Sequence, residues 1–234
     1  VYVLSFLGIV AILVKQSPFR FLAEVPSDGQ GLNPLLQDPW MVIHPPVMFA
    51  GFASLSVPFA FAIGALWTKR WDGWVVRAMP WALFTFVCLG TAILMGGYWA
   101  YKTLGWGGYW GWDPVENASL LSWLVGVALI HSFTVYRQRG AFKRWSVMCA
   151  CLTFAFVIVG TFISRSGLGQ SVHAFEGDNG SLVLFGGLIA ASVLAGIVGL
   201  SVRWKSFGPA KAGGDDISSM MSKDAAYYFN NLIM

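Results

Sequence analysis

Five apolar blocks decide what this chain can become. Val47–Trp67, Ala78–Trp99, Ala118–Tyr136, Trp145–Ile163 and Ser181–Val202 contain no Lys, Arg, Asp or Glu. Each is about 19 to 22 residues long, and at about 1.5 Å per residue each crosses the roughly 30 Å hydrocarbon layer as a helix. The composition agrees: 56% of residues are hydrophobic and 11% charged, with a mean hydropathy of +0.64. A soluble domain carries about 25% charged residues. The expected fold class is all-α, a polytopic helical membrane protein with a single transmembrane domain over residues 1–234. Val1–Val14 and Ala225–Met234 read as halves of further spanning helices from a longer chain, since neither has the form of a signal peptide.

The cations orient the blocks. Segments 69–77, 137–144 and 203–224 hold eleven of the fifteen Lys and Arg residues; segments 15–44, 99–117 and 164–180 hold only Lys15, Arg20, Lys102 and Arg165. The positive-inside rule places the second set of loops outside. The net charge of +4 therefore reports topology rather than nucleic-acid binding. Cys88, Cys149 and Cys151 all fall in spans, and without a C-x-x-C-H motif they read as small packing residues. In the first outer loop a short interfacial helix is expected around Leu32–Gln37. Pro45 and Pro46 suit a first helical turn, which would pin His44 at the outer mouth of its span.

The stretch "GWGGYWGWDPVENASLLSWL" (residues 105–124) is the densest part of the chain. Asp113, Pro114 and Glu116 occupy the N-cap, first and third positions of the following helix, a capping box that assigns both carboxylates to structure. The rings need another account. An aromatic belt explains one or two rings at a helix end. It does not explain Trp106, Tyr109, Trp110 and Trp112 interleaved with four glycines. Bare backbone admits close approach and aromatic faces offer stacking, so the stretch predicts a platform for a large, flat, mostly apolar molecule.

There are three histidines. His44 and His173 fall in outer segments, on the same membrane face as the platform. Imidazole is a common axial ligand of haem iron, so the pair predicts a bis-histidine haem site there. His131 sits inside a span, where an ionisable group is costly and marks function by default. It lies 18 residues past Asp113 on one helix, about 27 Å deeper. One iron cannot reach both levels. His131 would serve a second, buried haem whose opposite ligand lies elsewhere.

These residues resemble a known family. "WGGYWGWDPVENAS" (Trp106–Ser119) is similar to the tryptophan-rich WWD signature of haem-handling proteins of cytochrome c maturation. "GLNPLLQDPWMVIHPP" (Gly31–Pro46), "GTFISRSG" with "SVHAF" (Gly160–Phe175) and "NNL" (Asn230–Leu232) resemble the CcmF-type haem lyase subunits within it. The resemblance implies that His44 and His173 ligate incoming haem and that His131 ligates a bound haem b. It also implies attachment of haem vinyl groups to the C-x-x-C-H thiols of apocytochrome c, outside a bacterial inner membrane. The implied partners are a haem chaperone, a thiol-handling maturation subunit and membrane lipid. Tyr109 and Gly111 stand where larger aromatics are usual, Ser122 where proline is common, and Lys223–Asp224 replaces Arg-Glu. Gly111 thins the platform by one stacking face. Lys102 and Arg165 are the outer cations nearest the signature and His173, hence candidates for the haem propionates.

Two other functions are weighed. A haem transporter or delivery protein would use the same platform without ligation. An ion-translocating respiratory subunit would carry acidic or Lys residues in its spans, and the five complete spans carry none. No phosphate-cradling glycine motif and no Ser/His/Asp spacing for nucleophilic catalysis appear.

Overall fold

The structure is a computed structural model, and it describes residues 3, 7, 10, 13, 14, 19, 24, 26–29, 31–166, 170–175, 179–207, 222, 223, 225, 226, 229 and 230. All regular elements among these are helical. Residues 1–34 form one unit and residues 35–234 a second. In the first, the described residues Val3, Leu7, Val10, Leu13 and Val14 are helical. Most of Val1–Val14 and Ala225–Met234 lies outside the described residues, as do Lys15 and Arg20.

The second unit is an up-and-down bundle of α1 (Pro39–Ser54), α2 (Ser56–Thr68), α3 (Trp74–Thr103), α4 (Pro114–Arg139), α5 (Lys143–Ser166) and α6 (Asn179–Arg203). Leu55 breaks one long apolar run into α1 and α2. Counting that pair as one, five helices among the described residues are long and apolar enough to cross a membrane, and each contains one of the five apolar blocks. The helices overrun the blocks by up to about two turns at each end, because caps rather than hydropathy set their limits. Asp38 caps α1 by accepting from the Trp40 amide at 2.9 Å, with Pro39 at the first position. Consequently α1 starts at Pro39, and Pro45 and Pro46 fall inside it rather than at its first turn. His44 is a helical residue and not the last of a loop. Around Leu32–Gln37 the chain makes one 3-10 turn, Pro34–Leu36.

Small and hydroxylated residues let the helices approach, as membrane interiors favour. Ser54 Oγ on α1 meets Thr85 Oγ1 on α3 at 2.5 Å. Trp123 on α4 stacks on Phe86 of α3 and donates to its carbonyl oxygen at 3.1 Å. At the basic end, the Tyr136 hydroxyl donates to Trp71 O at 2.8 Å, Lys143 to Phe207 O at 3.0 Å and Arg203 to Leu66 O at 3.1 Å. Cys149 and Cys151 are buried free thiols and Cys88 is a half-buried one. Exposed Leu94, Val183 and Ile197 present the apolar surface that lipid covers.

Candidate functional site

The other end of the bundle gathers the start of α1, the 104–113 connection and residues 170–175. Two contacts tie the segment that leads into α1 to the end of α3. Lys102 pairs with Asp38 at 2.9 Å, and Trp99 Nε1 donates to Leu35 O at 3.1 Å. The pairing with Lys102, and then the Trp40 amide, holds the Asp38 carboxyl below its ordinary range. Lys102 is thus engaged by a carboxylate.

The aromatic segment is built on the first turn of α4. Asp113 accepts from the Val115 and Glu116 amides while Glu116 Oε2 reaches back to the Asp113 amide at 3.3 Å, closing the capping box. The same Glu116 oxygen takes the Gly111 amide at 3.0 Å, and the Asn117 carboxamide spans the Trp110 indole and Trp112 O at 3.3 and 3.1 Å. The helix start therefore holds the ring-bearing loop. Sequence reasoning passed over Asn117, although a carboxamide one turn from a tryptophan cluster is a usable signal.

The four rings are unequal. Trp112 stands in the left-handed region at φ 56° and is 75% exposed. Tyr109 gives one face to Tyr101, stacked at 4.5 Å and 8°. Trp110 is half-buried. Trp106 lies against Gly111, where an added Cβ would sit 2.9 Å from Cζ2 of the indole. The absent ring at Gly111 is thus replaced in space by Trp106 folding back, so part of the shelf closes on itself.

Gly96 and Gly97, in the last turns of α3, also escaped sequence reasoning. A Cβ at Gly96 would lie 2.7 Å from His44 Cε1, and one at Gly97 would lie 2.9 Å from Tyr109 O. Adjacent bare positions thus admit the histidine on one side and the platform backbone on the other. A glycine pair late in an apolar helix is the signal that could have found them.

His44 Nδ1 is 2.7 Å from Ala92 O, and His173 Nδ1 is 3.2 Å from Asp113 Oδ1. A carbonyl and a carboxylate only accept, so each Nδ1 carries a proton, and in the neutral ring Nε2 keeps its lone pair. His173 sits in a turn in which the Ala174 amide donates to Ser171 O and the Phe175 amide to Ser164 O. Arg165 at the end of α5 lies 4.0 Å over the Phe175 ring. Burial alone would push the Asp113 carboxyl up; donation from Ser171, Val115 and His173 outweighs it and holds Asp113 below its ordinary range.

His131 is apart from this assembly, half-buried on α4 with the Asn230 carboxamide 3.5 Å from Nδ1. Among the described residues no cluster of three or more His, Cys, Asp or Glu side chains forms. Asn230 Nδ2 can only donate, so His131 Nδ1 accepts here and the neutral ring carries its proton on Nε2; the ring offers Nε2 to a haem iron once Asn230 presents its carbonyl oxygen to Nδ1 instead.

Fold and site together define a class: a polytopic all-helical membrane protein whose connecting segments, more than its spans, carry the candidate chemistry. Comparison narrows the class. The Cytochrome C assembly protein family matches residues 1–172, and the chain belongs to that family. It is 39% identical over 240 residues to the cytochrome c-type biogenesis protein CcmF of Haemophilus influenzae, covering 99% of this chain and 36% of that protein. To the CcmF proteins of Pseudomonas aeruginosa and Escherichia coli it is 47% identical over 184 residues, 75% of this chain and 28% of each. A solved structure described as cytochrome c heme lyase CcmF matches with a TM-score of 0.66 at 34% identity, over 84% of this chain and 29% of that one. Within the family the chain is of the CcmF type, and it spans about a third of the length of these curated relatives.

Proposed function

We propose that this chain acts in cytochrome c maturation as a CcmF-type haem lyase subunit of a bacterial inner membrane, its platform end facing outward. The observation that carries the reading is the shared state of His44 and His173. Each has Nδ1 against an acceptor, His44 beside the glycine pair that seats the Tyr109 backbone and His173 on the Asp113 that ends the aromatic segment. Two such imidazoles suit the two axial positions of haem delivered as substrate by a chaperone.

Trp112 and the open face of Tyr109 would stack against the porphyrin while Trp106 and Trp110 shape its surround. Arg165, beside the His173 turn, would take a propionate; Lys102 reaches one only by leaving Asp38. The chain's work is then to hold and orient. The thiols of an apocytochrome C-x-x-C-H motif, kept reduced by a partner subunit, add across the haem vinyl groups. Each addition forms one carbon–sulfur bond, and the thiol proton ends on the other vinyl carbon. His131 would help to hold a resident haem b, which would supply one-electron chemistry when bound.

The test is expression of the full-length protein with a C-x-x-C-H reporter in cells that lack only their own haem lyase subunit and keep the haem chaperone and the thiol-handling partner, followed by the pyridine haemochrome spectrum of the reporter. Thioether formation that disappears with His44→Ala or His173→Ala supports the reading. Haem release without thioethers replaces it with a delivery protein.

A further inference from the structure

The Asp113 carboxylate does more than a helix start requires. Oδ1 accepts from the Val115 amide at 2.9 Å and the Glu116 amide at 3.4 Å, which begin α4. The same oxygen accepts from the Ser171 hydroxyl at 2.8 Å and from His173 Nδ1 at 3.2 Å, while Oδ2 takes the Val172 amide at 3.1 Å. Ser171 Oγ in turn accepts the His173 amide at 2.9 Å. A cap uses only the first two of these bonds. The other three reach across 58 to 60 residues of sequence to seize one short segment.

We propose that Asp113 is a positioning residue for haem capture, fixing the His173 ring in the tautomer that leaves Nε2 as its ligating nitrogen and locking the 171–173 segment to the base of the aromatic loop. This rests on the reading of His173 as a haem ligand. Carboxylates behind ligating histidines set ring orientation and raise ligand basicity, and losing one typically costs about 10- to 100-fold in affinity. Here one side chain joins that duty to the cap of the helix that carries the loop. The ligand and the stacking surface therefore cannot move independently.

The experiment separates the two duties. Asp113→Ser in the full-length protein keeps a capping hydroxyl but is too short to hold His173, whereas Asp113→Asn keeps both a cap and a longer carbonyl acceptor. Nitrogen NMR of the haem-free protein, with the His173 signal assigned by its absence from His173→Ala, is expected to show the proton on Nδ1. Asp113→Ser should shift it toward Nε2, with Asp113→Asn in between. Titration with iron protoporphyrin IX should weaken about 10- to 100-fold in Asp113→Ser and be partly restored in Asp113→Asn. An unchanged tautomer and unchanged haem affinity in Asp113→Ser, with His173→Ala still weakening haem binding, would reduce Asp113 to a cap. Unchanged haem affinity in His173→Ala would remove the ligand reading itself, and the capture role with it, even where the tautomer answers to Asp113.

Discussion

The His44 ring lies against Gly96, so that a methyl group added there would come within 2.7 Å of Cε1. In the same place Nδ1 reaches Ala92 O, one helical turn before Gly96. One turn of α3 thus supplies both the acceptor that sets the histidine's tautomer and the gap that admits its ring.

Gly96→Ala should therefore separate stability from binding. Alanine is favoured over glycine in a helix interior by about 1 kcal/mol. The local clash opposes that gain, so the melting temperature should move little. The ring must rotate away from Ala92, and losing a set ligand orientation weakens metal binding about 10- to 100-fold. Haem titration of the full-length protein reads this directly. Unaltered affinity would show that His44 does not need this seat.

Gly97→Ala should act on the platform instead. Its Cβ would meet the Tyr109 backbone oxygen at 2.9 Å, and a carbonyl held in a loop cannot swing aside as a side-chain tip can. Overpacking of this kind costs about 1 to 3 kcal/mol. Limited proteolysis should show faster cutting in residues 104–113, with the Tyr101–Tyr109 stack lost first. Equal cutting rates in the two proteins would contradict the contact.

How far the sequence alone reached follows from the kind of interaction each feature uses. The five spans were readable because hydropathy over some twenty residues is a local property. The Asp113–Glu116 box was readable because its partners lie three residues apart. Asp113 holding Ser171 and His173 was not, since nothing local announces a partner some sixty residues away. The start of α1 was misplaced for a related reason. Pro45–Pro46 gave a strong local signal, but Asp38 with Pro39 offers a complete cap six residues upstream of His44, and the cap sets the start. Gly111 looked like a missing ring until Trp106 was seen to fill its place.

Asp38 predicts a pH dependence. Its folded value is depressed, chiefly by the Lys102 hydrogen bond, so its contribution is complete above the unfolded carboxylate value of about 3.9 and disappears as pH falls through the lower folded value. Asp38→Asn keeps the cap and removes the ion pair; its melting temperature should approach that of the parent as the pH drops below about 4. Asp38→Ala also removes the cap and should melt below Asp38→Asn at neutral pH. A constant difference between Asp38→Asn and parent down to pH of about 2 would mean that Lys102 does not depend on Asp38.

His131→Ala tests the division into two haem levels. The residue lies on α4 with Asn230 beside it, and none of the bonds that hold His44 or His173 passes through it. Its removal should abolish the absorption of a resident haem b in the purified full-length protein, oxidised and reduced. Titration of added iron protoporphyrin IX at the platform end should keep its affinity, because the cap, the platform loop and both other imidazoles are undisturbed. Alanine for a half-buried histidine leaves little void, so the melting temperature of the haem-free protein should change by only a few degrees, about 1 kcal/mol. His44→Ala and His173→Ala should give the reverse pattern, with resident absorption retained and added haem bound weakly. A single spectrum lost in all three variants would mean one haem shared among the three histidines, and the separation of a resident haem from a substrate haem would have to be abandoned.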